Sequence, residues 1–159
     1  MFAKPQAEHQ MLEQLVGEWL MDTECVMGPD QPPEKSQARV TTRSLEGMWI
    51  VAETLGECPQ NGAFRSLMTL GYDATTGKFP GTFVGSMMSH LWIYSGTLSE
   101  DKRRIVLDTT GPKFDGSGMT QYQDIVEFVD EDTWVLRSRI LGDDGKWVPF
   151  MTGVNRRVK

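Results

Sequence analysis

The sequence has few residues of the types that form metal centres or disulfide frameworks, and it has no long apolar run. Its 159 residues include two cysteines and two histidines. Cys25 and Cys58 do not form a CxxC motif, and His9 and His90 are isolated, so the sequence predicts no metal site. No stretch reaches the roughly 20 apolar residues that span a bilayer as a helix. We therefore expect no membrane partner.

A basic surface is also lacking. Sixteen lysines and arginines stand against 22 aspartates and glutamates, which gives a formal net charge of −6. A nucleic-acid-binding protein needs a basic stripe, and only the terminal Arg156, Arg157 and Lys159 form a basic cluster, so we expect no nucleic-acid partner. The first seven residues contain Lys4 and Pro5 but no apolar segment of a secretory signal. With two cysteines typical of reduced thiols, this predicts a cytoplasmic location.

Apart from one N-terminal helix, the chain is a succession of short strands and turns. Met11, Leu12, Leu15 and Val16 recur at helical spacing, which predicts a helix over 8–16. Ten strands are predicted between clusters of glycine, proline, asparagine and aspartate, at 18–27, 37–45, 48–56, 64–72, 78–86, 89–98, 103–110, 119–129, 134–141 and 146–156. The pattern indicates one all-β domain, 1–159. We expect an antiparallel barrel of about ten strands, because closure removes the exposed edges of a sheet.

The stretch 64–95 predicts a candidate ligand site. If residues 74–77 form one turn and Met87-Met88 the next, antiparallel pairing brings inward-facing side chains together. The expected rungs are Met68–Phe83–Trp92, Leu70–Gly81–Tyr94 and Ser66–Gly85–His90. This aromatic and methionine-rich face either packs as a solid core or lines a cavity in which His90 and Tyr94 are the polar side chains. The predicted ligand-binding residues are Met68, Phe83, His90, Trp92 and Tyr94.

A second group of polar side chains lies at 120–141. With a turn at 130–133, Asp124 is expected opposite Arg139, and Val126 opposite Arg137. Inside a barrel these arginines would suit a carboxylate or phosphate. On the outside they would be a solvated cross-strand pair, which is the interpretation that alternating charges favour.

Three short motifs resemble a known family. The opening Glu8–Trp19 resembles the helix-then-strand start of lipocalin-like, or calycin, barrels, and it is most similar to a bacterial family known as domain of unknown function 1579. The segment 71–73, followed by Lys78-Phe79, and the basic end 155–157 match the same family pattern. The family's usual tyrosine before the terminal arginine is replaced here by Val154-Asn155. The resemblance implies a calycin-type barrel and carries no established activity.

Related nitrobindin-like barrels bind haem through a histidine near the C-terminus. This chain has no histidine after His90, so we expect no haem and no other cofactor.

Composition and resemblance together leave three functional hypotheses. The first is a cytoplasmic barrel that binds a small apolar or amphipathic molecule in its interior. The second is an enzyme in which His90 transfers a proton within the same cavity, although no nucleophile motif accompanies it. The third is a structural barrel that forms a homodimer or larger homo-oligomer and binds no ligand.

Overall fold

Ten antiparallel strands form one closed barrel in the computed structural model, which describes residues 1–26, 28 and 30–159. Each strand pairs with the next along the chain, and β1 pairs with β10 to close the sheet. The strands are β1 Gly17–Cys25, β2 Glu34–Leu45, β3 Trp49–Cys58, β4 Gly62–Gly71, β5 Phe79–Gly85, β6 Trp92–Leu98, β7 Arg104–Pro112, β8 Met119–Asp130, β9 Thr133–Leu141 and β10 Trp147–Arg157. This confirms the predicted all-β, lipocalin-like (calycin) barrel with a short N-terminal helix.

The strand predicted over 18–27 corresponds to β1, which ends at Cys25. Met27 of that strand, and Pro29 of the turn predicted over 28–30, lie outside the described residues.

The N-terminal helix closes one end of the barrel. It comprises α1, Ala7–Leu12, followed by a 3₁₀ turn, Glu13–Leu15, and so ends before the predicted Val16, which is already extended. Leu12 and Leu15 are each 2% exposed because they pack into the barrel end. The indole nitrogen of Trp19 donates a hydrogen bond to the Leu15 carbonyl over 2.9 Å, which ties the turn to β1.

Arg157, at the end of β10, fastens the same end of the barrel. Its guanidinium lies 4.2 Å from the ring centre of Trp19. It also donates hydrogen bonds to the carbonyls of Val16, over 2.9 Å, and of Glu131, over 2.8 Å. The guanidinium of Arg157 thus joins β10 to β1, to the residue that follows the 3₁₀ turn and to the β8–β9 loop.

None of the helices within the described residues has the length and the apolarity that crossing a membrane requires.

The predicted register of β4, β5 and β6 is confirmed for two of the three rungs. Met68 pairs with Phe83, and Phe83 pairs with Trp92, while Gly81 lies between Leu70 and Tyr94. The third rung is only half correct. Ser66 faces Gly85, but β6 begins at Trp92, so that His90 lies in the connection before the strand.

The predicted register of β8 and β9 was wrong by one residue. Asp130 pairs with Thr133 as expected, but a bulge follows, and Phe128 then pairs with Trp134. Because a one-residue shift turns every later side chain to the other face, Asp124 faces Ser138 instead of Arg139.

Candidate functional site

The interior of the barrel is not completely filled by its own side chains. A cavity of about 230 Å³ lies towards the end opposite the helix. Its walls come from seven strands and from the loop after β5. The lining residues are Met21, Thr23, Cys25, Ser36, Val40, Ala52, Thr54, Cys58, Phe64, Ser66, Met68, Phe83, Met87, Trp134, Leu136 and Met151. None of these described residues carries a formal charge at neutral pH, so the cavity favours an apolar guest.

Methionine dominates the wall of this cavity. Met21, Met68, Met87 and Met151 all line it. Methionine side chains are unbranched and polarisable, so they adjust to guests of different outline and make favourable contacts with aromatic rings. Trp134, which is 6% exposed, adds a rigid aromatic surface. Its indole nitrogen has no hydrogen-bond partner among the described residues.

Both cysteines also line the cavity, and neither forms a disulfide. Burial raises the pKa of the Cys25 thiol, and the nearby Glu34 and Cys58 raise it further. A raised pKa keeps the thiol protonated at neutral pH and lowers its reactivity. In the part of the chain that the structure describes, no three histidine, cysteine, aspartate or glutamate side chains are grouped as a metal site would need.

A buried polar cluster lies beside the cavity, and sequence reasoning did not find it. The Tyr94 hydroxyl donates a hydrogen bond to Oδ2 of Asp124, and the Ser138 hydroxyl donates to Oδ1 over 2.6 Å. Tyr94 and Ser138 are 3% and 5% exposed. The three side chains come from β6, β8 and β9, and the bulge in β8 turns Asp124 inward.

Burial also shifts the acidities in this cluster. Burial raises the pKa of the Asp124 carboxyl, and the hydrogen bonds from Ser138 and Tyr94 oppose that rise because they stabilise the anion. The pKa of the Tyr94 phenol is raised well above its usual value, first by burial and then by the neighbouring Asp124. Among the described residues, Asp124 takes part in no ion pair.

The two arginines of β9 lie on the outer face of the barrel. Arg137 pairs with Glu127 over 3.5 Å, and Arg139 donates to the side-chain oxygen of Gln123 over 2.7 Å. Solvent screens such exposed contacts, so they add little to stability. This agrees with the solvated interpretation for the two arginines, but Asp124, which that interpretation paired with Arg139, faces Ser138 and Tyr94 instead.

Trp92 belongs to an aromatic cluster at the same end of the barrel as the cavity. Its ring lies edge-on to Tyr122, with 4.9 Å between ring centres, and edge-on to His90, at 4.7 Å. The ring also lies directly over Gly111, where a Cβ atom would come within 2.1 Å of it. Glycine at this position is therefore what allows Trp92 to cross from β6 to β7.

His90 borders an outer groove, beside the end of the β6–β7 pairing, and does not line the cavity. The pairing of β6 with β7 ends at Ser95 and Asp108, and continuing the register would place Tyr94 opposite Thr109 and Ile93 opposite Thr110. The His90 ring instead donates its Nε2 hydrogen to the Thr110 carbonyl over 2.9 Å. A side chain thus supplies a hydrogen bond that the sheet does not make. The outer groove at this point has a volume of about 610 Å³ and is lined by His90, Leu91, Ile93, Asp108, Thr109, Thr110, Met119, Gln121 and Tyr122.

The structure therefore separates the five predicted site residues. Met68 and Phe83 line the cavity. Trp92 is the next residue along the Phe83 rung, and Tyr94 belongs to the buried polar cluster. His90 borders the outer groove. One signal for the cluster was present in the sequence: Asp124 alternates with Tyr122, Val126 and Phe128, which is the pattern of an inward-facing strand.

Several solved structures are similar to this chain in fold, and they are barrels of low sequence identity. Rv2717c from M. tuberculosis has a TM-score of 0.72 and 14% identity, over 98% of this chain and all of that chain. The S-type phycobiliprotein lyase CPES from Guillardia theta has a TM-score of 0.67 and 16% identity, over 97% of this chain and 94% of that chain. A redesigned β barrel has a TM-score of 0.50 and 11% identity, over 92% and 94% of the two chains. At such identities the likeness concerns the fold.

None of the curated proteins matches the chain significantly. The family model described as "Protein of unknown function (DUF1579)" matches residues 4–157. The chain therefore belongs to the DUF1579 family.

Proposed function

We propose that this DUF1579 protein binds a small apolar or amphipathic molecule inside its barrel, with Met68 and Phe83 among the contacting residues. The observation that carries the proposal is the uncharged cavity of about 230 Å³ within an otherwise closed barrel. Protein cores are normally packed to the density of organic crystals, with few voids larger than a water molecule. A void of this size is therefore unusual for a protein core, and a bound small molecule would account for it.

The volume of the cavity limits the size of the ligand. A dry apolar cavity of about 150 Å³ is known to accept benzene. By proportion, this cavity has room for roughly nine non-hydrogen atoms. We expect a phenyl ring with a short substituent, or a fused bicyclic ring, to fit between the thioethers and the Trp134 indole.

Two free thiols in the cavity support a cytoplasmic location as part of the same proposal, because reducing compartments preserve unpaired cysteines.

The proposal is tested by filling the cavity from the inside. Ala52 is 7% exposed, lines the cavity and faces Met68 across β3 and β4. We expect the parent protein to bind 2-phenylethanol, seen as a shift of the Trp134 indole N–H signal in an NMR titration. Ala52→Leu should abolish the shift, because the added side chain occupies the space of the ligand.

Thr41→Leu is the matched control. It introduces the same side chain at an exposed position on the adjacent strand β2. This variant should bind like the parent. Binding that survives Ala52→Leu, or a parent protein that shifts with no apolar aromatic probe of this size, would refute the proposal.

A further inference from the structure

We infer that Asp124 makes the barrel selective for amphipathic ligands that carry a positively charged nitrogen, such as an aryl-alkyl ammonium ion. The inference rests on the proposed function, since it names the class of molecule that the cavity takes. It is carried by the position of one carboxylate inside the barrel and by the groups that surround it.

Two hydroxyl groups hold the carboxylate of Asp124 in place. Both of its oxygens accept hydrogen bonds, Oδ2 from Tyr94 and Oδ1 from Ser138. These two hydrogen bonds stabilise the ionised carboxylate and oppose the effect of burial, which favours the protonated form. The two hydroxyls also orient the group, so that it needs no rearrangement to meet a ligand.

The charge of the Asp124 carboxylate has no counterion among the described residues. No lysine, arginine or histidine of the described chain lies within salt-bridge distance of Asp124. Glu127, on the outer face of the same strand, pairs with both Arg104 and Arg137. The hydroxyls of Tyr94 and Ser138 solvate the inner carboxylate but do not neutralise it. An uncompensated charge away from water is costly, and a cationic group brought by a ligand would compensate it.

The carboxylate of Asp124 lies close to residues that line the cavity. Ser138 lies opposite Met151 and two residues beyond Leu136 on the same face of β9, and both of those residues line the cavity. Two residues along a strand span about 7 Å. Asp124 itself is half-buried, and its carboxylate meets the buried Tyr94 and Ser138 on the inner face of the sheet. A two-carbon chain on an aromatic ring held in the cavity can therefore bring its terminal group to the carboxylate.

The test uses three probes of nearly equal size: 2-phenylethylamine as the cation, 2-phenylethanol as its neutral isostere and phenylacetate as the anion. Their affinities are measured by NMR titration at neutral pH. We expect the parent protein to bind the amine at least about tenfold more tightly than the alcohol, and phenylacetate more weakly than the alcohol. In Asp124→Asn the preference for the amine should disappear while the affinity for the alcohol changes little.

Two further variants separate the inner carboxylate from general effects of charge and folding. Glu127→Gln removes a negative charge from the outer face of β8, and it should keep the preference for the amine. Tyr94→Phe removes one hydrogen bond but keeps the carboxylate, so it should also keep that preference. If Asp124→Asn does not fold, the ranking of the three probes on the parent protein and on Tyr94→Phe decides the question.

The outcomes distinguish the two proposals. An alcohol that binds as tightly as the amine would refute the inference and leave the proposed function standing. A preference for the amine that persists in folded Asp124→Asn would do the same. If none of the three probes binds, the proposed function fails, and the inference fails with it.

Discussion

The close approach of Trp92 to Gly111 allows the side-chain packing at the barrel end opposite the helix to be measured directly. A Cβ at Gly111 would lie 2.1 Å from two ring carbons of Trp92, far inside any real contact. Tyr122 and His90 lie edge-on to the same ring, which limits its retreat. We therefore expect Gly111→Ala to lower the free energy of unfolding by about 1–3 kcal/mol, the usual cost of overpacking.

The same substitution should have the opposite effect once the ring is absent. Trp92 is only part-buried, so Trp92→Ala should cost about 2–3 kcal/mol, at or below the lower end of the range for buried aromatic residues. In that background Gly111→Ala meets no ring, and it should stabilise by about 0.5–1 kcal/mol because alanine loses less backbone entropy than glycine on folding. The difference between these two effects of Gly111→Ala, about 1.5–4 kcal/mol, is the expected coupling energy of the two sites.

Urea denaturation of the parent, both single variants and the double variant measures this coupling. Gly85→Ala is the control, because the close contacts of its Cβ would be with the flexible end of the Met87 side chain, the sulfur at 2.9 Å and the terminal methyl at 3.0 Å. The Met87 side chain is 49% exposed and can move aside, so this variant should stay within about 0.5 kcal/mol of the parent. Additive effects of Gly111→Ala and Trp92→Ala would show that the ring does not lie over Gly111.

Two further predictions follow from the shifted acidities. Burial raises the pKa of Asp124, so the folded protein binds this proton more tightly than the unfolded chain does. The group's contribution to stability is therefore greatest below the ordinary aspartate pKa of about 4 and is lost as the pH rises through the raised value. Asp124→Asn should accordingly gain stability relative to the parent as the pH rises from about 3 to 7, measured by urea denaturation; a difference independent of pH would contradict this. The raised pKa of Cys25 makes its alkylation by iodoacetamide depend on pH, which mass spectrometry of the Cys25 peptide can measure. We expect the alkylation rate to rise with pH with a midpoint above the ordinary cysteine pKa of about 8.5. A midpoint at or below that value would be evidence against the burial of the thiol.

The sequence predicted those parts of the barrel that depend on alternation and on turn chemistry. The hairpin between β4 and β5 turns through a glycine-containing loop. Counting residues along the strands from the predicted turns was therefore enough to pair Met68 with Phe83 and Phe83 with Trp92. The helix was shorter than its apolar spacing indicated, because Val16 already has an extended backbone.

What the sequence did not predict follows from local irregularities. The bulge after Phe128 adds one residue to β8, and nothing in the residue types there marks it. That single residue decides whether Asp124 points to solvent or to Tyr94. His90 was misplaced for a related reason: the connection between β5 and β6 is six residues long, Ser86–Leu91, and not a tight two-residue turn.

The pairing of β1 with β10 has a consequence for how the chain reaches this structure. Asp22 and Arg156 are 134 residues apart in sequence, yet their side chains meet at 2.9 Å across that pair. On the ribosome, β1 therefore waits for nearly the entire chain to be synthesised before its second edge is covered. Until β10 arrives, β1 and β9 both present unpaired backbone groups, the kind of edge that promotes aggregation. Closure that depends on such distant contacts is slow, with folding times of about milliseconds to seconds for comparable all-β topologies, so the interval between synthesis and closure is when this protein is most exposed to chaperones and proteases.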